Sequence, residues 1–394
     1  MQLRLKPKRH FPFVARHPWV HSHALSEDGA GLTVGQAVEL LANDGSPLAK
    51  GLINPAGKLR VRLYSFDGQE IDDGLLHRRI DAAIARRRLA GGADAGGGER
   101  LVFSESDLIS GLIVDRYADT LSVSFTSAAL ATRRATILNH LRAAVAAAGT
   151  PVRGMMVSMD EKTAKFEGCD PFAEFVGEGQ PATSYVENGL KLTVDLSSGQ
   201  KTGGYLDQRN NHAAAAKYLS GRRVLDVCCY HGGFGLVALS KGAASVVGVD
   251  SSRAALENAE ATAATNGLSG IEFLQGDCFD VLDGLHGDGE RFDAVILDPP
   301  RFAGSRHQTA SALRAYHRLN ASAIKLLPPG GILVTCSCSG RITAAEFAEM
   351  LGEVGRASRR DIVILENRGA AADHPVAVSC PESRYLKCII AAVM

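Results

Sequence analysis

The sequence predicts an α/β protein whose C-terminal half is a doubly wound sheet and whose N-terminal half holds two smaller domains. At 394 residues the chain is too long for one ordinary domain and long enough for sizeable cores. From about residue 187 onward, strand-like segments at 223–228, 245–250, 271–275, 294–298 and 331–336 alternate with helical segments at 236–240, 253–266 and 312–327. That alternation is the order of a largely parallel sheet covered by helices. Before it, short strands are punctuated by turn signals. The expected division is therefore 1–70, 71–186 and 187–394.

Within 1–70, segments 37–41 and 48–53 flank Asn43-Asp44-Gly45, a hairpin signal. Leu59-Arg-Val-Arg-Leu63 alternates apolar and basic residues, as a half-exposed strand does. This stretch reads as a small β-barrel with Arg60 and Arg62 on its wet face. Trp19, the only tryptophan, follows Arg16-His17-Pro18 and reads more readily as a core plug than as a platform for a base. A helix is expected over 71–89, ending in Arg86-Arg87-Arg88, where the helix dipole favours cations. The glycine-rich run from Gly91 to Gly98 reads as a linker. Strands at 111–117 and 121–125, a helix over 128–148 and strands at 152–159 and 172–176 make a β-β-α-β-β insert without evident chemistry.

Composition narrows the class. A chain that is 45% hydrophobic and 22% charged is globular rather than disordered, collagenous or coiled-coil. No run of about 18 apolar residues is present, so no membrane span is expected. The polar N-terminus lacks a signal peptide's apolar core, and a cytoplasmic location is expected. The eight cysteines form no C-x-x-C pair, which predicts reduced thiols and neither a disulfide framework nor a metal site. With 43 basic and 43 acidic residues, the whole-chain field announces no nucleic-acid partner. Yet Arg4, Lys6, Lys8, Arg9 and Arg16 all precede the first acidic residue, Glu27. They form either a solvated basic N-terminus or a local grip on a polyanion.

The chemistry-bearing residues lie in the last stretch. Val224-Leu-Asp-Val-Cys-Cys-Tyr-His-Gly-Gly-Phe-Gly235 is a buried strand running through a glycine turn into a helix. Gly232 and Gly233 let backbone approach a ligand, and the helix start offers free N–H groups. Val246-Val-Gly-Val-Asp250 ends in a carboxylate suited to the two ribose hydroxyls of an adenosine cofactor. A nicotinamide cofactor would share it, but the turn is not G-x-G-x-x-G, and Asp226 would repel a diphosphate. Asp226 suits an ammonium instead. Asp277 and Cys278 close a third strand near the expected adenine edge, and Phe292-Asp-Ala-Val-Ile-Leu-Asp-Pro-Pro300 delivers Asp298 to the carboxyl edge of the sheet.

The ordered set of glycine turn, Asp250, Gly276-Asp277 and Asp298-Pro299-Pro300 resembles a class I S-adenosylmethionine-dependent methyltransferase. Gln200-Lys-Thr-Gly-Gly-Tyr-Leu-Asp-Gln-Arg209 and Thr335-Cys-Ser-Cys-Ser-Gly340 are similar to the large-subunit rRNA cytosine-5 methyltransferase I family. Arg16-His17-Pro18-Trp19 and the tail containing Tyr385-Leu-Lys387 extend that likeness to essentially the whole chain. His231 and Gly204 depart from the pattern. The resemblance implies a PUA-like domain first, a β-β-α-β-β middle domain and a catalytic domain last. It implies S-adenosylmethionine held by Asp226, Tyr230, Gly232, Gly233, Asp250, Asp277 and Cys278, with no metal. It also implies large-subunit rRNA held by Lys6, Lys8, Arg9, Arg16, Arg60 and Arg62. A homodimer is compatible with the sequence.

Cys336 and Cys338 lie two apart at a strand end, hence on one face, and only the edge position is expected to reach the pocket. Family correspondence assigns the nucleophile to Cys338 and leaves Cys336 an inert neighbour, with Asp298 as the second catalytic group. Pro300 stands where many RNA cytosine-5 methyltransferases carry a second cysteine. Two other readings stay open. A base-nitrogen methyltransferase would need no thiol, and a non-catalytic RNA-binding or ribosome-assembly factor would retain only the fold.

Overall fold

The computed structural model describes all residues except 90, 94–95, 198–202 and 303–307. Part of the linker expected from Gly91 to Gly98, and the Gln200–Thr202 portion of the motif ending at Arg209, lie outside the described residues. The chain forms two compact units. One comprises Met1–Val186, Val194–Leu206 and Ala372–Ser383; the other comprises Glu187–Thr193, Asp207–Ala371 and Arg384–Met394. Among the described residues no helix is long and apolar enough to cross a membrane.

The first unit opens with β1 (Gln2–Arg4), α1 (Phe11–Val14), β2 (Trp19–His21), β3 (Ala37–Leu41), β4 (Pro47–Ile53) and β5 (Leu59–Ser65). The strands pair in the order β1-β3-β4-β5-β2, parallel between β1 and β3 and antiparallel elsewhere. An antiparallel bridge between Leu5 and Leu25 joins the chain beyond the two edge strands and closes the sheet toward a barrel. Alternate residues such as Leu3, Val20, Leu40, Val61 and Leu63 fill its core.

One expectation fails on this sheet. Arg62 does not lie on the wet face; it is 7% exposed. Its guanidinium donates to Glu105 Oε1 (3.3 Å), Ser110 Oγ (3.2 Å) and Glu167 Oε1 (3.0 Å). Glu105 also accepts from Trp19 Nε1 at 2.8 Å, so Trp19 belongs to a polar network rather than a dry plug. Burial raises the Glu105 pKa, but Arg62, Ser110 and Trp19 outweigh it and hold the carboxyl below its usual range. Strand alternation cannot distinguish a wet face from one covered by charged partners distant in sequence. Residues 1–70 consequently share a compact unit with the stretch that follows.

That stretch contains α2 (Asp73–Leu89), β6 (Gly98–Phe103), β7 (Leu112–Tyr117), β8 (Thr120–Phe125), α3 (Ala128–Ala131), α4 (Arg134–Ala147), β9 (Gly154–Met159), α5 (Glu161–Glu167) and β10 (Phe172–Gly177). Its sheet runs β10-β9-β8-β7-β6. The β8–β9 pair is parallel and needs the α3–α4 crossover; the helix expected over 128–148 is in fact two. Strand β6 escapes a hydrophobic reading because its charged residues are buried in cross-strand pairs. Glu99 meets Arg116 at 2.5 Å, and Arg100 meets Asp115 at 2.7 Å. Arg86 and Arg87 likewise grip the fully buried Asp107, so tertiary pairing joins the helix dipole in holding the arginine triplet. The hairpin of β11 (Ala182–Glu187) and β12 (Leu190–Asp195) is where the chain passes between units.

The second unit contains α6 (Arg209–Ala216), β13 (Arg223–Val227), α7 (Gly233–Ser240), β14 (Ser245–Asp250), α8 (Arg253–Thr265), β15 (Ile271–Gln275), α9 (Cys278–Gly287) and β16 (Ala294–Leu297). It ends with α10 (Thr309–Ile324), β17 (Gly331–Ser337), α11 (Ala344–Ser358), β18 (Ile362–Arg368) and β19 (Lys387–Val393). The seven strands are ordered β15-β14-β13-β16-β17-β19-β18. The first five are parallel, and β19 inserts antiparallel between β17 and β18. The central strands β13, β16 and β17 bury apolar side chains on both faces, as helices covering a parallel sheet require.

Replacing Arg62 with Ala tests the network that unites the first unit. It strands the buried Glu105 and Glu167 without their cation, which should cost about 3–5 kcal/mol in urea unfolding. A loss within about 0.5 kcal/mol, the range of surface substitutions, would contradict it.

Candidate active site

At the carboxyl edge of the sheet, Asp226 is the penultimate residue of β13, Asp250 ends β14, Asp298 directly follows β16, and Cys338 follows β17. The chain departs from β13 toward β14 on one side and toward β16 on the other, which opens a crevice at the strand ends. The turn after β13 is tightly wound. Cys228 and Tyr230 take positive φ values of 60° and 49°, and Gly232 caps α7 at φ 76°. A Cβ on Gly233 would come within 2.6 Å of the His212 ring, so this position needs glycine. His212 is buried, faces Phe234 edge-on at 4.5 Å, and is held by Glu187 at 2.8 Å. Neither His212 nor Glu187 carried a sequence signal of its own.

Asp226 is 1% exposed. Its Oδ2 accepts the Gly235 N–H at 2.8 Å, whereas Oδ1 is buried without a hydrogen-bond partner. Burial is the largest influence on the carboxyl and outweighs the Gly235 bond and the His212 charge, pushing its pKa up to about 7. An unanswered, buried carboxylate oxygen is a site for a cation or a hydrogen-bond donor.

Asp250 shapes the same turn. Its Oδ2 accepts the Tyr230 N–H and its Oδ1 the Ser252 N–H, both at 2.9 Å. The carboxylate is thereby fixed at the end of β14, and further lone pairs can still accept hydroxyls. The Tyr230 and His231 rings stack at 3.7 Å, and burial depresses the His231 pKa to about 4, which keeps that ring neutral. Asp277 is the N-cap of α9, its Oδ1 accepting from Phe279 N at 2.9 Å. The thiol of Cys278 hydrogen-bonds that of Cys228, which lowers its pKa.

On the far side of the crevice, Asp298 Oδ2 accepts from Gln208 Nε2 at 3.0 Å. Gln208 in turn accepts from Asn211 Nδ2 at 2.6 Å, and Asn211 is itself bound to the Gly369 carbonyl at 3.0 Å. Gln208 lies in the motif that ends at Arg209, and the contact that gives it a role is tertiary. Cys336 is fully buried on β17 opposite Cys388 of β19, whereas Cys338 lies past the strand end and is half-buried. Lys387, the first residue of β19, donates to the carbonyls of Ser339 (2.6 Å) and Tyr385 (2.8 Å). Burial lowers its pKa to about 8 against an opposing pull from Cys338. The Tyr316 hydroxyl meets Ser339 Oγ at 3.1 Å.

The basic residues singled out by sequence lie in the first unit. Lys6, Lys8, Arg9 and Arg16 are exposed, and Arg60 is half-exposed. Lys6 reaches the His23 carbonyl at 3.1 Å, and Arg16 sits over the Phe66 ring at 5.5 Å. Arg62, engaged with two carboxylates, has no exposed charge to offer a phosphate.

The chain is similar to known proteins along its whole length. Residues 118–374 match the family described as S-adenosylmethionine-dependent methyltransferase, and residues 3–66 match a PUA-like domain. Ribosomal RNA large subunit methyltransferase I of Shewanella denitrificans is 36% identical over 100% of this chain and 99% of its own length. The protein of the same name from Photobacterium profundum is 37% identical over 94% of each chain. A solved structure from Streptococcus mutans, described as a SAM-dependent methyltransferase, covers all of both chains with a TM-score of 0.84 at 19% identity, a likeness of fold. With a PUA-like domain, a class I S-adenosylmethionine-dependent fold and full-length relatives of one name, the chain belongs to the ribosomal RNA large subunit methyltransferase I family.

Proposed function

We propose that this protein transfers a methyl group to C5 of a cytosine in large-subunit ribosomal RNA in the cytoplasm, with Cys338 as the nucleophile. The observation that carries the reading is the contrast between two neighbouring cysteines. Cys336 is sealed in the sheet, while Cys338 emerges from β17 beside β16, the strand that delivers Asp298. The relatives' names supply the substrate class, large-subunit rRNA. A base-nitrogen methyltransferase would have no use for that thiol.

S-adenosylmethionine, when bound, supplies an electrophilic methyl group on a sulfonium. Asp226 suits its ammonium, Asp250 its ribose hydroxyls, and Gly232 and Gly233 leave backbone room beside it, with Tyr230, Asp277 and Cys278 lining the adenosine side. The remaining difficulty is the base, because C5 of cytosine is a poor nucleophile. Cys338 Sγ, as thiolate, adds to C6 and turns C5 into an enamine carbon able to attack. Charge develops toward N3 and the ring carbonyl, where Asp298, steadied by Gln208, shares a proton with N3 and stabilises the adduct. Lys387 braces the turn after Cys338, and its positive charge favours the thiolate. Once C5 carries the methyl group, loss of its proton expels Sγ and restores the aromatic ring. The base must be unstacked to meet the thiolate face-on, which looped RNA permits at about a few kcal/mol. Lys6, Lys8, Arg9 and Arg16 would grip phosphates, with Arg60 at the edge of that surface.

Mass spectrometry of RNA treated with the enzyme should find 5-methylcytosine with the wild type and none with Cys338→Ala, while Cys336→Ala stays active. Methylation retained by Cys338→Ala, on carbon or nitrogen, would sink the covalent reading. The cofactor seat has its own signature. Below a pKa of about 7 Asp226 holds a proton that an ammonium must displace, so cofactor binding should expel a proton and weaken as pH falls. Between about pH 8 and pH 6 the loss should approach tenfold by calorimetry and vanish in Asp226→Asn. A wild-type affinity unchanged over that range would mean the ammonium sits elsewhere.

A further inference from the structure

Outside the crevice, the described residues hold one cluster of mixed metal-ligating side chains. The His17 ring, the Cys380 thiol and the Glu382 carboxylate bring one donor atom each to within 4.8 Å of one another. His17 Nε2 lies 3.3 Å from Glu382 Oε2, and Cys380 Sγ lies 3.6 Å from the same oxygen. All three belong to the first unit, though His17 and Glu382 are 365 positions apart. The segment Ala372–Ser383 is therefore a strap that returns from the C-terminal part of the chain to the N-terminal sheet.

The donors are held in place by the surrounding backbone. Cys380 N–H donates to Ala377 O at 3.0 Å, and Cys380 O accepts from Ser383 N (3.0 Å) and Ser383 Oγ (2.7 Å). Ser383 Oγ also accepts from Ala377 N at 3.0 Å, which closes the turn on itself. Pro381 then separates the two donors of the strap. Upstream, Asp373 accepts the Arg100 N–H at 3.0 Å and His374 packs against Phe103, anchoring the strap to β6. The His17 ring is steadied by the edge of Trp19 at 5.5 Å, and its Nδ1 accepts the Trp19 N–H over a long 3.3 Å.

We propose that His17, Cys380 and Glu382 form a binding site for a divalent metal of the zinc class, which staples the strap to the N-terminal sheet. One thiolate, one imidazole and one carboxylate is a donor set that suits a tetrahedral, borderline-soft ion and disfavours magnesium or calcium, which want oxygen. Three protein ligands leave a fourth position for water. On binding, the Cys380 thiol releases its proton to solvent, and the His17 proton moves from Nε2 to Nδ1, giving up the long Trp19 contact. C-x-x-C spacing rules miss such a site because its ligands come from opposite ends of the chain.

Cobalt(II) titration of the full-length, reduced, metal-stripped protein tests this. One equivalent should bind and give a thiolate-to-cobalt charge-transfer band that zinc bleaches. The band should vanish in Cys380→Ser, survive in Cys338→Ser, and need about tenfold more cobalt in His17→Ala. Zinc should raise the thermal midpoint of the wild type and not of Cys380→Ser. If Cys380→Ser does not fold, Glu382→Gln must weaken cobalt binding while keeping the band. Absence of stoichiometric binding, a band that survives loss of Cys380, or cobalt affinity unchanged in Glu382→Gln would overturn the proposal.

Discussion

Asp226 is taken out of water at the end of β13 with only one carboxylate oxygen hydrogen-bonded, and burying a charge this way costs several kcal/mol unless something answers it. Much of the local architecture follows from that residue. The Gly235 N–H at the start of α7 meets one oxygen, which fixes the helix start over the strand end. The intervening turn then has to double back in few residues, and Cys228, Tyr230 and Gly232 take left-handed conformations to do so. Asp250 collects the Tyr230 N–H that this path exposes. The other Asp226 oxygen has no partner, a deficit that the ammonium proposed above would relieve. A cofactor-binding protein is expected to keep such a deficit at its site.

The first unit handles buried charge in the opposite manner. Arg62, Arg87, Arg100 and Arg116 are each paired with a carboxylate of the same unit. Removing one partner is costly, although the intact pair adds little net stability. These pairs are specific where apolar packing would be permissive. Arg100 and Arg116 tie β6 to β7, and Arg62 holds the N-terminal sheet to the segment that follows.

The catalytic unit was largely legible in the sequence because a parallel sheet writes itself in apolar runs ending in carboxylates. Strands 245–250 and 271–275 have the expected bounds, and Asp226, Asp250 and Asp298 stand at strand ends. The remaining features are of two kinds. Helix α11 carries a local signal in the capping box of Thr343 and Glu346. Gln208, His212, Glu187 and Lys387 could not have been found that way, since each acts on a residue distant in sequence. Arg62 shows the same limit, because alternation reports a strand's two faces and says nothing about what covers them.

Whether Cys338 forms a bond to the base decides the central claim. RNA carrying 5-fluorocytosine blocks the last step, since fluorine cannot leave C5 as a proton does, and should trap the enzyme on its substrate. Peptide mapping of the trapped complex should locate a nucleotide adduct on Cys338 in the wild type and in Cys336→Ala, with none in Cys338→Ala. A trapped complex whose adduct maps to another residue, or its absence from an enzyme that methylates the unmodified RNA, would contradict the account.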